Sequence, residues 1–202
     1  MSTARYNVTF GSAMIDTTVT SDAAVADDWV RRVRTAPRGL GATQGLIVGL
    51  DCEWKPCDHL WPPVTPKAAV LQLCSGTSCL VLQLLHVARF PPLVSDLLAD
   101  RTVRFVGIGV GEDVAKLEDG YGVTCAAPVD LEDICNRRLG LSSMRRLGLK
   151  GYVREVLGLT MEKPMNVTKS DWEKRELDVA QIRYACIDAY VSYKLGERVL
   201  TN

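Results

Sequence analysis

Two acidic residues, Asp51 and Glu53, stand two apart at the end of an apolar run, Gly45-Leu-Ile-Val-Gly-Leu-Asp51-Cys-Glu53-Trp-Lys-Pro56. A strand sends alternate side chains to one face, so both acids point the same way from the carboxyl end of a buried strand. Carboxylates held that close repel each other unless a positive charge lies between them. A hard divalent cation such as Mg²⁺, which prefers oxygen ligands, is the simplest occupant. Alone, Asp-x-Glu is a weak signal, because a solvated strand end can carry two acids by chance.

Two further places add to it. Asp113, in Gly111-Glu112-Asp113-Val114, opens a helix that follows a buried strand. A carboxylate there is favoured by the helix dipole and faces the carboxyl edge of the sheet. Glu112 is adjacent, and the following Leu117 favours Asp113 as the inward residue. Tyr184 and Asp188, in Tyr184-Ala-Cys-Ile-Asp188, are four apart on a long helix and share a face. Asp188 stands among Ala185, Cys186, Ile187 and Ala189, where an unpaired charge is costly and a metal would remove the cost. Glycines 107, 109 and 111 are spaced Gly-x-Gly-x-Gly, which is not a dinucleotide fingerprint. The acids Glu118, Asp119, Asp130, Glu132 and Asp133 read as solvated or capping residues.

The elements that must position these groups are legible in outline. Residues 5–20 alternate around Gly11-Ser12 and predict a hairpin. Ser21 or Asp22 caps a helix through about Thr35, with Val25, Trp29 and Val33 on one face. Pro37 to Gly45 reads as a loop. Five strands follow: 46–51, Ala68–Cys74, Ser78–Leu82, Arg104–Val110 and the short Val129–Leu131. The second and third are joined by the hairpin signal Ser75-Gly76-Thr77. Helices are expected at 91–99, starting on Pro91-Pro92, from Glu112, and from about 142 onward. The last runs from about 179 to 200, and Asp178 with Gln181 resembles a capping box. Strands, then strand–helix alternation, then helices predict a mixed sheet flanked by helices in one α/β domain, 41–202. Residues 1–40 read as a hairpin-plus-helix extension packed on the same core.

Composition sets the bounds. The 202 residues suit one domain, and 47 % hydrophobic residues are enough for a sizeable core. Lysine plus arginine equal aspartate plus glutamate at 24 each, so any nucleic-acid partner must be held by a local basic patch. No apolar run reaches the roughly 18 residues of a membrane span. The start carries no secretory signal pattern, which gives little weight to the glycosylation patterns at Asn7 and Asn166. Cysteines at 52, 57, 74, 79, 125, 135 and 186 are odd in number and lack metal-finger spacing. They predict reduced thiols in an intracellular protein, nuclear or cytoplasmic.

Taken together, Asp51, Glu53, Asp113 and Asp188, with Tyr184 one turn before the last, resemble the DEDDy class of 3′–5′ exonucleases. The resemblance is greatest to Werner-type exonuclease domains, with ribonuclease D a more distant cousin. Ala69-Val-Leu-Gln-Leu73, Phe105-Val-Gly-Ile-Gly-Val110, Ser170-Asp-Trp172 and Asp188-Ala-Tyr-Val-Ser-Tyr193 support it, and it covers about residues 45–200. It implies a ribonuclease H-like fold, a five-stranded mixed sheet here, and two-metal hydrolysis that releases nucleoside monophosphates from the 3′ end of DNA. The ions would be two Mg²⁺, or Mn²⁺ in their place, roughly 3.5–4 Å apart. One would be held by Asp51, Glu53 and Asp188, the other by Asp51, with Asp113 contributing through water. Tyr184 would orient the attacking water, since a tyrosine with a pKa of about 10 is a poor base at neutral pH. The related histidine class is excluded, because His59 and His86 are both remote from the last motif. An RNA-trimming enzyme of the ribonuclease D type and a silent nucleic-acid-binding module are the rival readings. All five key residues are present, which argues against the silent module.

From Arg137 to Arg183 eleven basic residues face six acidic ones, an excess of about five positive charges in an otherwise neutral chain. Phosphate contacts supply sequence-independent affinity. Arg145, Arg146 and Lys150 are the candidate phosphate contacts, and Trp54 is a candidate for stacking on the terminal base. There is no helicase motif, so unwinding is expected from a separate helicase. No membrane partner is expected.

Overall fold

A computed structural model describes residues 2–36, 45–56 and 65–201. In chain order the elements are β1 (Thr3–Phe10), β2 (Ala13–Thr20), α1 (Ala23–Thr35), β3 (Ile47–Glu53), β4 (Val70–Ser75) and β5 (Ser78–Gln83). Then come α2 (Pro92–Leu98), β6 (Arg104–Gly107), α3 (Val110–Tyr121), β7 (Pro128–Asp130), α4 (Glu132–Leu139), α5 (Gly148–Leu157), α6 (Met165–Thr168) and α7 (Val179–Leu200). The loop expected at 37–44, Cys57 and His59 lie outside the described residues.

One mixed sheet runs β1-β2-β5-β4-β3-β6-β7. The five expected strands form its β5-to-β7 part, and the sheet has seven because the N-terminal hairpin continues it. Residues 16–20 of β2 pair in parallel with 78–82 of β5, satisfying an edge that would otherwise be open. β3 is central, antiparallel to β4 and parallel to β6.

Alternation along the central strands sorts the core into two layers. Val48, Leu50, Cys52, Leu71, Leu73, Leu80 and Leu82 pack with Trp29, Val33, Val94 and Leu97 from α1 and α2, and with Val110 and Leu117 from α3. Ile47, Val70, Cys74, Cys79 and Val81 face the other way, against α5 and α7. The hairpin joins this second layer through Val8, Phe10 and Ile15, with the Phe10 and Tyr190 rings edge-on at 6.2 Å.

Helix α7 can lie directly on β3 because Gly49 has no side chain. A Cβ there would sit 2.0 Å from the Ala189 carbonyl oxygen and 2.6 Å from the Tyr193 nitrogen. The helix starts with a reciprocal cap: Gln181 N–H donates to Asp178 Oδ1 at 2.9 Å, and Asp178 N–H donates to Gln181 Oε1 at 3.1 Å.

Three boundaries differ from expectation. β6 ends at Gly107 and α3 begins at Val110, because Gly109 takes φ +74° and turns the chain. The helical run expected from about 142 is broken: residues 142–147, 158–164 and 169–178 are not helical, leaving α5, the short α6 and α7. Helix α4 was not expected, since it buries only Cys135 and Asn136 and leaves almost no periodic signal.

Candidate active site

The site lies where the carboxyl end of β3 meets α7. Asp51 and Glu53 point from β3 toward the α7 layer, and Asp188 comes down from α7 one turn after Tyr184. Carboxylate oxygens of Asp51, Glu53 and Asp188 lie within 4.8 Å of one another. Glu53 is 8 % exposed and Asp188 only 1 %. Asp113 reaches the same place from α3, in the opposite layer, and is likewise buried. Its neighbour Glu112 is exposed and lies 4.0 Å from Lys116. The acids flanking this region have structural partners. Asp130 accepts from the Gly109 and Glu132 N–H groups, and Glu132 pairs with Arg146 at 3.0 Å.

A cleft of about 450 Å³ opens over these groups, walled by Asp51, Glu53, Asp113 and Tyr184 together with Trp54, Ile108, Lys163 and Lys169. Asp188 does not line it. Its Oδ2 is instead 2.5 Å from the Lys163 ammonium, which also stands 5.2 Å from the centre of the Tyr184 ring.

The protonation pattern follows from burial of like charges. Burial first, then the charge of Asp188, pushes Asp51 up to about 7. Burial and the charge of Asp51 push Glu53 up to about 10 and Asp113 to about 9. Asp188 is raised by burial, against the pull of Lys163. Burial alone would lower Lys163, but the charges of Asp188 and Asp51 outweigh it and raise it. Burial and Asp188 push Tyr184 up to about 12, so its hydroxyl keeps its proton at neutral pH and serves as a donor. Carboxyl groups all pushed upward around one cleft mark a site short of positive charge. Their donor set is all carboxylate oxygen, which suits Mg²⁺ or Mn²⁺ rather than a thiolate- or imidazole-loving ion.

The segment between α5 and α7 is held by the Ser170-Asp171-Trp172 motif. Gln181 Nε2 donates to Ser170 Oγ at 2.8 Å and to the Asp171 carbonyl at 3.0 Å, and Trp172 Nε1 donates to the Thr168 carbonyl at 3.2 Å. Thr168 Oγ1 in turn donates to Tyr184 Oη at 3.0 Å, and the Trp172 and Tyr184 rings lie 5.9 Å apart. From β5, Gln83 Nε2 donates to the Arg175 carbonyl at 3.0 Å. His86 pairs with the Glu173 carbonyl at 2.8 Å, a linking role away from the acids.

The structure therefore brings together Asp51, Glu53, Asp113, Tyr184, Asp188 and Trp54. One face of Trp54 is taken by the Lys116 ammonium, 4.2 Å from the ring centre. It does not bring Arg145, Arg146 or Lys150 to the cleft. Arg146 is engaged by Glu132, Lys150 lies 3.9 Å from Glu162, and Arg145 is exposed. Among the described residues the cations lining the cleft are Lys163 and Lys169, which nothing in their spacing marked among eleven basic residues.

With this geometry in hand, the chain can be set beside known proteins. A family model described as 3′-5′ exonuclease matches residues 17–200. The chain belongs to the 3′-5′ exonuclease family. It is 33 % identical over 151 residues to an Arabidopsis thaliana 3′-5′ exonuclease, covering 74 % of this chain and 51 % of that protein. It is 31 % identical over 158 residues to the bifunctional 3′-5′ exonuclease/ATP-dependent helicase WRN of Mus musculus, covering 78 % of this chain and 11 % of the other. The chain thus spans about half, or less, of these curated relatives. Among solved structures, Trypanosoma brucei RNase D in complex with RNA U12 has the same fold, with TM-score 0.73, 20 % identity and coverage of 92 % and 63 %. The EXD2 exonuclease domain soaked in Mn and dGMP matches at TM-score 0.51 and 26 % identity, covering 92 % of this chain and 89 % of that one. The seven-stranded mixed sheet with flanking helices is a ribonuclease H-like fold.

Proposed function

We propose that this chain is a metal-dependent 3′–5′ exonuclease that removes nucleoside monophosphates from the 3′ end of DNA. The observation that carries the reading is the meeting of Asp51, Glu53 and Asp188 within 4.8 Å beneath a cleft that Asp113 and Tyr184 also wall. Two Mg²⁺ ions bound there would supply positive charge to both the attacking and the leaving oxygen of the phosphodiester. Asp51, Glu53 and Asp188 would hold one ion, and Asp51 with Asp113 the other.

The remaining work falls to the chain's own residues. Tyr184, protonated and fixed through Thr168, donates a hydrogen bond that orients the attacking water. Lys163 and Lys169 offer ammonium groups to phosphate oxygens in the cleft. Trp54 and Ile108 present apolar surface to the terminal nucleotide. Arg145, Arg146 and Lys150, outside the cleft, take phosphates farther along the strand. Residues 41–202 carry this unit, and β1, β2 and α1 extend its sheet and core. A separate helicase is the partner we assign for duplex substrates; the mouse relative combines the two activities by its own name.

The DNA reading rests on the resemblance to Werner-type exonuclease domains, and a Mus musculus exonuclease/helicase is 31 % identical. The fold likeness to RNase D keeps RNA trimming as the second reading. The test uses matched 5′-labelled DNA and RNA strands with Mg²⁺, Mn²⁺ or EDTA, beside an Asp51→Ala/Glu53→Ala control. A metal-dependent ladder shortening from the 3′ end, absent in the control, is the expected result. Faster digestion of the RNA strand would replace DNA with RNA, and no ladder on either strand would sink the nuclease reading.

A further inference from the structure

The proposed chemistry needs Asp188 as a metal ligand, yet Asp188 is 1 % exposed and does not line the cleft. What lies on it is Lys163. This residue stands between α5 and α6, just before Pro164, which precedes the first residue of α6. Its ammonium is 2.5 Å from Asp188 Oδ2, and Lys163 itself walls the cleft. A divalent ion shared by Asp51, Glu53 and Asp188 would sit against the carboxylate that already carries the Lys163 ammonium. Two cations at one carboxylate repel strongly in a half-buried site. The lysine therefore has to yield. Its flexible four-carbon stem allows that without backbone movement, and the open direction is the cleft, where the substrate brings phosphate oxygens.

Resting on the metal-nuclease reading, we propose that Lys163 is a resident counter-cation. It holds Asp188 until metal arrives, gives the carboxylate up to the ion, and then turns its ammonium to the scissile phosphate. Metal and substrate then load cooperatively, because the phosphate offers the displaced ammonium a new partner. In the free protein the lysine also holds down the mutual repulsion of the acids, which keeps the site assembled while it is empty of substrate.

The test is Mn²⁺ affinity, read by electron paramagnetic resonance of the free ion, for the wild type and Lys163→Met with and without dTMP. Without nucleotide, Lys163→Met is expected to bind Mn²⁺ about tenfold or more tightly than the wild type. The gain in affinity on adding dTMP should be smaller in the variant. Metal-free Lys163→Met should melt at a lower temperature, and Mn²⁺ should restore it. Equal or weaker Mn²⁺ binding in the variant overturns the inference. So does failure to fold even with Mn²⁺, for the lysine would then be a structural part that metal cannot replace; Lys163→Gln repeats the comparison with a polar side chain. Glu53→Gln separates the two levels of the claim. If it binds Mn²⁺ as the wild type does, the metal site itself is wrong. If it loses Mn²⁺ while Lys163→Met is unchanged, only the role of the lysine falls.

Discussion

The two faces of the central sheet are built from the same three strands to opposite ends. On the α1–α2 face, β3, β4 and β5 present Val48, Leu50 and Cys52, Leu71 and Leu73, Leu80 and Leu82. On the α7 face the same strands present Gly49, Asp51 and Glu53, then Val70, Gln72 and Cys74, then Cys79, Val81 and Gln83. The first face is almost wholly aliphatic, and each fully buried Leu contributes about 1.5–3 kcal/mol. The second holds an absent side chain, two acids and two amides. Gln72 lies directly across the ladder from Asp51, and neither amide atom has a hydrogen-bond partner among the described residues. One face supplies stability; the other gives some up to hold repelling carboxylates close together. A strand's period of two makes this division possible, because neighbouring residues answer to different layers.

The contrast can be broken from the functional side first. Glu53→Gln should lower exonuclease turnover by about a thousandfold or more, since it removes a ligand from the charge-stabilising centre. The same change should leave the metal-free protein equally or more stable. The sign follows from proton binding. Asp51, Asp113 and Glu53 hold protons up to about 7, 9 and 10 in the folded chain, above their usual values of 3.8 to 4.5. Between about pH 4 and pH 10 the folded state binds more protons than the unfolded one, so its stability falls as pH rises. Lys163, raised from 10.5, titrates above that window and does not alter the slope. Melting temperatures in EDTA from pH 5 to pH 9 should decline in the wild type and decline less in Glu53→Gln. A flat wild-type curve would show that the acids are not strained.

Leu73→Ala tests the opposite face. It should destabilise by about 2–5 kcal/mol in denaturant titration, while the folded fraction keeps wild-type turnover at low temperature. A specific loss of turnover without loss of stability would erase the division between faces. The smallest effect sharpens the chemistry within the site. Tyr184→Phe should reduce turnover about ten- to a hundredfold through a misplaced water, with strand binding unchanged in a filter or anisotropy assay. An unchanged rate would remove the orienting role.

Much of this was legible along the chain because its signals are local. Alternation placed Asp51 and Glu53 on one face, the spacing of four placed Tyr184 over Asp188, and Asp178 with Gln181 marked the helix that carries them. Apolar neighbours of Asp188 announced its burial. Other features had no local signal. Nothing near Asp16–Thr20 says that it pairs with Ser78–Leu82 across α1, β3 and β4, so the sheet gained two strands. Lys163 is one of eleven basic residues until α5, α6 and α7 fold the segment back onto Asp188. Arg145 and Arg146 lie in the same basic stretch yet point elsewhere. The sequence by itself determined which side chains share a face, because strand and helix periods are properties of the backbone. Only the tertiary structure decided which faces meet and which cation lies on the acids, because contacts between distant segments depend on how whole elements pack, and no residue's near neighbours record that.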